Sequence, residues 1–366
     1  MAARSVTPVV IDAQSLSSVA AGSGIATYTR NLLAALAERD DVAISALSSP
    51  RVSLPPGVVG LSMQRFFSRP SLEVVEHSLR MPIEVWRGRP AGSVFHNPSF
   101  HAPRGVRAPW VQTLHDVIPL VFDAPDQAVL RRRWRRFGPR YRRAAAIVAV
   151  SQHAAEEGVR LLGLDPDRVR LAPHGVDPVF RPRDTGPADP PYLLVVSEYS
   201  RRKGFAEAFA VMDELADAGY PHRLVVAGRI HPWAQGELAA LRAAARHPER
   251  IDILGYVPEV LPLYQGAAVF LMSSRYEGFG LPALEAMASG APVVAFANSA
   301  VTEVVGGGGQ LVDDGDVPAM VAAVRQVLDF PSAASEWQER GLAHAATFTW
   351  KACAAVHAEV YRSVTG

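Results

Sequence analysis

The sequence predicts an α/β protein made of two successive domains, each built on a parallel sheet. Three observations predict it. Short apolar runs bounded by polar residues recur along the chain, as strands covered on both faces do. They alternate with segments of helical period. A Pro- and Asp-rich stretch, 177–191, interrupts the alternation, which then restarts. With 366 residues the chain has room for two domains.

The first strand is Val9-Val10-Ile11. A loop holding Gly22 and Gly24 follows, then a helix from Ile25 to Leu36 whose Ile25, Tyr28, Leu32, Leu33 and Leu36 form one apolar stripe. Further strands are expected at Val42–Leu47, Ser93–His96, Trp110–Leu114, Ile147–Ser151 and Val169–Ala172. After the interruption come Tyr192–Val196, Arg223–Ala227, Ile251–Leu254, Val269–Met272 and Val293–Phe296. These runs place the first domain at 1–180 and begin the second at 181.

Composition is that of an ordinary globular enzyme, 49% hydrophobic and 20% charged. A single cysteine, Cys353, excludes an intramolecular disulfide framework and a cysteine-based metal cluster. No apolar run approaches the roughly eighteen residues of a membrane span, and residues 1–8 run into a strand rather than a signal sequence. A cytoplasmic protein is expected, with peripheral attachment to the inner face of the cell membrane kept open.

The densest motif is Glu277-Gly278-Phe279-Gly280-Leu281-Pro282-Ala283-Leu284-Glu285. It leaves the carboxyl end of one strand and opens a helix, the place where open α/β sheets bind ligands. Gly278 and Gly280 let backbone approach an anion, Pro282 suits the first turn of a helix, and the leading helix amides favour negative charge. Phe279 and Leu281 lie in the same turn. A carboxylate beside phosphate faces a diol instead, since it accepts charge-assisted hydrogen bonds from both hydroxyls. A nucleotide sugar carries a diol at each end. One glutamate per end is the natural reading. A surface helix with solvated glutamates is the bland alternative.

Cations come from Arg201-Arg202-Lys203, with Gly204 opening the next helix after the strand Tyr192–Val196. Fixed positive side chains at a helix start suit a diphosphate, with a solvated basic turn as the alternative. Gly22-Ser23-Gly24 also stands before a helix, but its turn is too long and lacks the G-x-G-x-x-G spacing, so a nicotinamide cofactor is not expected. His115 and Asp116 end the strand Trp110–Leu114; taken alone, such a pair is more often structural than catalytic.

Together these segments, in this order with Pro173-His174-Gly175-Val176-Asp177 and Gly255-Tyr256-Val257, resemble the retaining glycosyltransferases of the GT-B architecture (glycosyl transferases group 1), above all their mannosyltransferase-like branch. The resemblance covers nearly the whole chain. It implies two Rossmann-like domains facing across a cleft, an N-terminal acceptor domain and a C-terminal donor domain, with a last helix at about 350–366 packing back on the first. It implies that Glu277 holds the hexose and Glu285 the ribose, and that His115 faces the transferred sugar as a catalytic group beside Glu277. It also implies that Gly22 and Gly24 approach the donor diphosphate with Arg202, Lys203, Gly278, Phe279, Gly280 and Leu281, and that Tyr256 and Val257 border the base. Relatives place another arginine several residues before the lysine, where this chain has Ser197 and Glu198; that leaves Arg201 or Arg202 to contact phosphate. His174 is expected to be structural or to line the acceptor.

The implied reaction transfers a hexose, most simply mannose from GDP-mannose, with retention, to a glycan, lipid-linked or small-molecule acceptor, as in polysaccharide biosynthesis. A UDP-hexose donor (glucose or N-acetylglucosamine), an epimerase and a non-catalytic nucleotide-sugar-binding subunit are the other readings. No cofactor and no essential metal are expected. Asp165-Pro166-Asp167 and Asp314-Gly315-Asp316 match a metal-binding Asp-x-Asp pattern literally but read as turns or caps.

Net charge is +1, unevenly placed: residues 1–185 hold 24 basic and 16 acidic residues, leaving 13 and 20 for the rest. The first half thus has reason to face an anion. Much of the excess lies in Arg131–Arg143, where Trp134, Phe137 and Tyr141 interleave with arginines. Such a segment suits an anionic bilayer or a lipid diphosphate, or else an amphipathic helix packed on its own sheet. No nucleic-acid module accompanies it, so nucleic acid is not an expected partner.

Overall fold

The structure is a computed structural model that describes residues 6–16, 23–49, 51–62, 90–100, 108–122, 128–183 and 188–365. Gly22 lies outside the described residues. The chain forms two compact units: Met1–Leu120, Val129–Gly175 and Thr349–Gly366 make the first, Val121–Ala128 and Val176–Phe348 the second.

Unit 1 holds a seven-stranded sheet: β1 (Thr7–Asp12), β2 (Val42–Ser48), β3 (Val59–Ser62), β4 (Val94–Asn97), β5 (Trp110–Leu114), β6 (Ala146–Ala149) and β7 (Val169–Leu171). Their order is β3-β2-β1-β4-β5-β6-β7, parallel throughout, with Val9 opposite both Ile44 and Val94. Its helices are α1 (Gly24–Ala37), α2 (Ile118–Val121), α3 (Ala128–Phe137) and α4 (Gln152–Leu162). α1 begins where Ser23 Oγ accepts from the Ala26 amide at 3.2 Å, a cap worth about 1 kcal/mol. Its stripe of Tyr28, Leu32, Leu33 and Leu36 is fully buried against β1 and β2. The expected strand Ile147–Ser151 is shorter because Ser151 caps α4, its Oγ accepting from Ala154 N at 3.0 Å.

Unit 2 holds six parallel strands: β8 (Tyr192–Val196), β9 (Arg223–Ala227), β10 (Ile251–Gly255), β11 (Val269–Met272), β12 (Val293–Ala297) and β13 (Gln310–Asp313), in the order β10-β9-β8-β11-β12-β13. α5 (Phe205–Asp217), α6 (Gln235–Ala243), α7 (Leu261–Gly266), α8 (Leu281–Ala288), α9 (Val301–Val305), α10 (Val317–Asp329) and α11 (Pro331–Ala345) surround them. Phe205, Phe209, Met212, Leu224, Phe296, Met320 and Val324 fill one of its cores. The last helix, α12 (Trp350–Ser363), belongs to unit 1, where Trp350, Cys353, Ala354, Ala358 and Tyr361 join the core of α1 and β1.

β3 and β13 were not expected. Both are short edge strands, and β13 is only half-buried, so neither shows the continuous apolar run that marks a central strand. The basic segment forms α3 and a 3-10 turn over Gly138–Arg143. Trp134, Phe137 and Tyr141 are buried in unit 1, beside Phe95, Trp110 and Leu114, which corrects any reading in which these rings enter a bilayer. Arg132, Arg135, Arg136, Arg142 and Arg143 are exposed. No helix among the described residues is long and apolar enough to cross a membrane.

Candidate active site

In unit 2 the strand order reverses between β8 and β11, and ligands of open parallel sheets bind beyond the strand ends at such a reversal. The loops leaving these two strands carry the predicted cations and the glutamate motif. Backbone contacts fasten them together: Arg275 N donates to Arg202 O at 2.8 Å, and Ser273 Oγ donates to Lys203 O at 3.1 Å. Gly204, with φ +64°, makes this approach possible, because a Cβ there would stand 1.9 Å from Ser273 O.

The contact brings three charges together. Lys203 Nζ lies 2.6 Å from Glu277 Oε1, and Arg202 Nη1 lies 3.1 Å from Glu277 Oε2. Arg202 also donates to the Tyr276 carbonyl. All three side chains are nearly buried. Burial by itself pushes the Glu277 carboxyl up and is the largest single influence. The Lys203 and Arg202 charges, with hydrogen bonds from Lys203 and Ser274, outweigh it and hold the group down at about 2. Burial lowers the Lys203 pKa from the ordinary lysine value, against the pull of Glu277. The cluster keeps a net charge of +1. Arg201 points elsewhere, its Nε 2.7 Å from Glu237 Oε1, so of the two arginines it is Arg202 that faces the motif.

Sequence reasoning missed the groups that brace Glu277. Its amide donates to Ser299 Oγ at 2.8 Å, and Ser299 Oγ donates to Asn298 Oδ1 at 2.9 Å. Asn298 Nδ2 donates to Ser274 O at 2.9 Å. These residues follow β11 and β12 without any apolar or glycine signature, so only the folded loops reveal them. Ser299 has φ +42°, a conformation that needs such support.

Beyond Glu277 the chain turns at Gly280, φ +107°, into α8. No side chain caps this helix start, Pro282 occupies its first turn, and Ala283, Leu284, Ala286 and Met287 bury its inner face. Amides and helix dipole at Gly280 and Leu281 are thus offered to an anion. Glu285, one turn on, accepts from the Tyr264 hydroxyl at 2.9 Å. Its carboxyl is pushed up to about 7, first by burial and then by Asp177, against the Tyr264 bond that lowers it. Tyr264, on α7, is a second residue the sequence did not single out. Tyr256 follows β10 and is 59% exposed, with the Arg229 guanidinium 5.7 Å from its ring centre. Val257 is half-buried beside it.

Unit 1 holds the other expected site residues. Its sheet reverses between β1 and β4, next to β5, and His115 follows β5 directly. His115 Nε2 donates to the Pro98 carbonyl at 2.7 Å. That bond fixes the proton on Nε2 and leaves Nδ1 as an acceptor. Burial lowers its pKa to about 4, although the Pro98 bond opposes this, so the ring is neutral near pH 7. Asp116 Oδ1 accepts from the Ile118 amide at 3.0 Å and turns the chain. His174 is buried, stacked on Trp350 at 5.6 Å and tilted on Tyr28 at 4.9 Å. Gly24 opens α1 with nothing within 4 Å of a Cβ placed there.

The two Asp-x-Asp stretches are local structure. Asp165 accepts from the Asp167 amide at 3.1 Å, and Asp316 caps α10 by accepting from Ala319 N at 2.9 Å. Among the described residues no group of three or more His, Cys, Asp and Glu side chains is gathered to hold a metal ion.

Residues 22–180 match the model of Glycosyltransferase Family 4, and residues 178–344 match that of Glycosyl transferases group 1. The chain is 31% identical to the O-antigen chain mannosyltransferase B of Escherichia coli over 74% of each sequence. It is 34% identical to a D-inositol 3-phosphate glycosyltransferase of Catenulispora acidiphila, over 60% of this chain and 56% of that one. In fold it is similar to the sucrose-phosphate synthase of Thermosynechococcus elongatus, with TM-score 0.74, 20% identity and 98% of both chains covered. Two parallel α/β units of this kind are the GT-B fold, and the chain belongs to the group 1 glycosyltransferases.

Proposed function

We propose that the protein is a retaining hexosyltransferase that moves mannose from GDP-mannose to a hydroxyl of a glycan, lipid-linked or small-molecule acceptor, with no essential metal. One observation carries the proposal: Arg202, Lys203 and Glu277 form a buried cluster of net +1 beside the start of α8, at the reversal of the unit 2 sheet. Breaking the anomeric bond puts negative charge on the departing nucleoside diphosphate. Preorganised cations and helix amides aimed there lower that barrier directly, doing what a divalent metal does elsewhere.

In this reading Arg202, Lys203, Gly24, Gly278, Phe279, Gly280 and Leu281 serve the diphosphate, and Gly22 is assigned there by resemblance alone. Glu277 holds the hexose hydroxyls. A carboxyl held at about 2 is a poor proton acceptor, which argues against Glu277 as general base. The acceptor hydroxyl instead attacks on the departing face and gives its proton to a donor phosphate oxygen. Glu285 grips the ribose, Tyr256 and Val257 border the base, and His115 accepts a hydrogen bond from the transferred sugar at Nδ1. The exposed arginines of residues 131–143 attract an anionic acceptor or membrane by charge alone, so binding to anionic vesicles should fall with salt.

The test is incubation of purified protein with GDP-mannose, UDP-glucose or UDP-N-acetylglucosamine and candidate acceptors, with the anomeric configuration read by NMR. GDP-mannose consumed to an α-linked product supports the proposal. A UDP-hexose used in its place corrects the donor, and an inverted product overturns the mechanism. Donor isomerised without acceptor marks an epimerase, and binding without turnover a non-catalytic subunit.

A further inference from the structure

Unit 1 contains a buried hydrogen-bonded relay that the proposed chemistry does not use. It runs between two residues of the last helix by way of α1, β4 and β5. The direction of every bond follows from one fixed end. The Cys353 carbonyl can only accept, so His357 Nδ1, 2.8 Å away, is the donor. In a neutral imidazole Nε2 is then an acceptor, and it takes the Tyr28 hydroxyl proton at 2.8 Å. The Tyr28 oxygen therefore accepts from Thr113 Oγ1 at 3.0 Å. Having given its proton away, Thr113 Oγ1 accepts from His96 Nε2 at 2.8 Å, and His96 Nδ1 accepts from the Tyr361 hydroxyl at 2.7 Å. Each of these five side chains is fully buried, and each proton has one destination. Burial holds His96 and His357 in the neutral form that the pattern requires.

Tyr28 stands between His357 and Thr113 in this relay and also meets His115. The two rings are edge to face, 5.0 Å apart at 89°. Trp350 backs the same ring through His174. The Pro98 bond fixes one nitrogen of His115 but leaves the ring free to swing about that bond; Tyr28, whose ring is nearer than those of Phe100 at 5.7 Å and His174 at 5.9 Å, restrains this freedom with them. We infer that Tyr28 is a positioning residue that sets the plane of His115, and that His357 and Tyr361 make the C-terminal helix part of the catalytic apparatus by clamping Tyr28 from both ends of the relay. The inference rests on the reading that His115 meets the transferred hexose.

Transfer kinetics on the full-length protein test it. Tyr28→Phe keeps the ring and deletes the hydroxyl, and His357→Leu deletes the acceptor. Both should lower kcat roughly tenfold, with donor KM within about twofold, as expected when orientation rather than binding is lost. His357→Gln offers Tyr28 an amide oxygen instead and should recover most of the rate, which a purely structural role of His357 does not predict. In a His115→Ala background, adding Tyr28→Phe should cost nothing more. Unchanged kcat in Tyr28→Phe and His357→Leu, alongside a damaged His115→Ala enzyme, would overturn the inference and spare the role of His115. The same holds if Tyr28→Phe slows both backgrounds equally. Full activity in His115→Ala would remove that role, and the inference with it.

Discussion

Replacing Glu277 with Gln separates the two tasks assigned to the ion cluster. The substitution is nearly isosteric and removes only the charge. At separations of 2.6 and 3.1 Å and an effective dielectric of about 20, Glu277 has gross attractions of roughly 6 and 5 kcal/mol with Lys203 and Arg202. Desolvation of all three groups offsets much of this. Removing one partner from a buried ion pair typically costs about 3–5 kcal/mol, because the remaining charges stay buried without a counter-ion. For a unit of this size that is a fall in Tm of roughly 10 °C. The freed cations bring the cluster from +1 to +2, so an anionic ligand gains what the fold loses. GDP should therefore bind the variant at least as tightly as it binds the parent and should restore much of the lost Tm, while transfer falls about 100-fold or more because the hexose has lost its charged acceptor. Calorimetric titration with GDP, thermal unfolding with and without it, and a transfer assay measure the three effects. GDP bound more weakly in proportion to lost transfer would refute the division of labour between cations and carboxylate.

Four further outcomes follow from particular residues. Gly204→Ala places a methyl group against Ser273 O in a left-handed backbone, so it should separate the two loops, destabilise the protein by several kcal/mol in thermal unfolding and abolish donor binding. Glu285 titrates at about 7, and its ionised form is the better acceptor for a ribose diol, so affinity for an intact nucleotide sugar should rise as pH increases through 7. Tyr264→Phe, which removes a bond that lowers this pKa, should move the titration measured in the binding profile to higher pH. His115 and His357 are held at about 4 against an ordinary 6.5. Their folded pKa values are depressed, so the stability they contribute is complete above 6.5 and is lost as pH falls towards 4, roughly 3 kcal/mol apiece. Denaturant titrations across that window should show the decline, and a flat profile would contradict the neutral buried relay.

Much of this architecture was legible because central parallel strands are written as uninterrupted apolar runs. Trp110–Leu114, Tyr192–Val196 and Arg223–Ala227 occupy the residues expected of them. β3 and β13 are short strands with no such run and stayed hidden, whereas the other two edge strands, β7 and β10, were expected. At the site, glycine and proline spacing marked the turn into α8, and the clustering of Arg202 and Lys203 marked the cationic loop. The union of that loop with Glu277 was not readable, since residues 203 and 277 meet only through the pairing of β8 with β11. Ser299, Asn298 and Tyr264 act through hydrogen bonds between loops and helices distant in sequence, and no periodicity announces them. The relay from Tyr361 to His357 is the extreme case, joining residues 28, 96, 113, 357 and 361 from four elements. The aromatic residues of the basic segment show the reverse failure. Their spacing is equally that of a membrane-facing and a core-facing helix, and burial alone distinguishes the two.

The measurement that bears most directly on the whole account is the position of the diphosphate in a crystal of the protein grown with GDP or UDP. Phosphate oxygens should lie within about 3 Å of the Arg202 guanidinium, the Lys203 ammonium and an amide at the start of α8. Phosphates bound away from Arg202 and Lys203, with their ion pairs to Glu277 undisturbed, would contradict it.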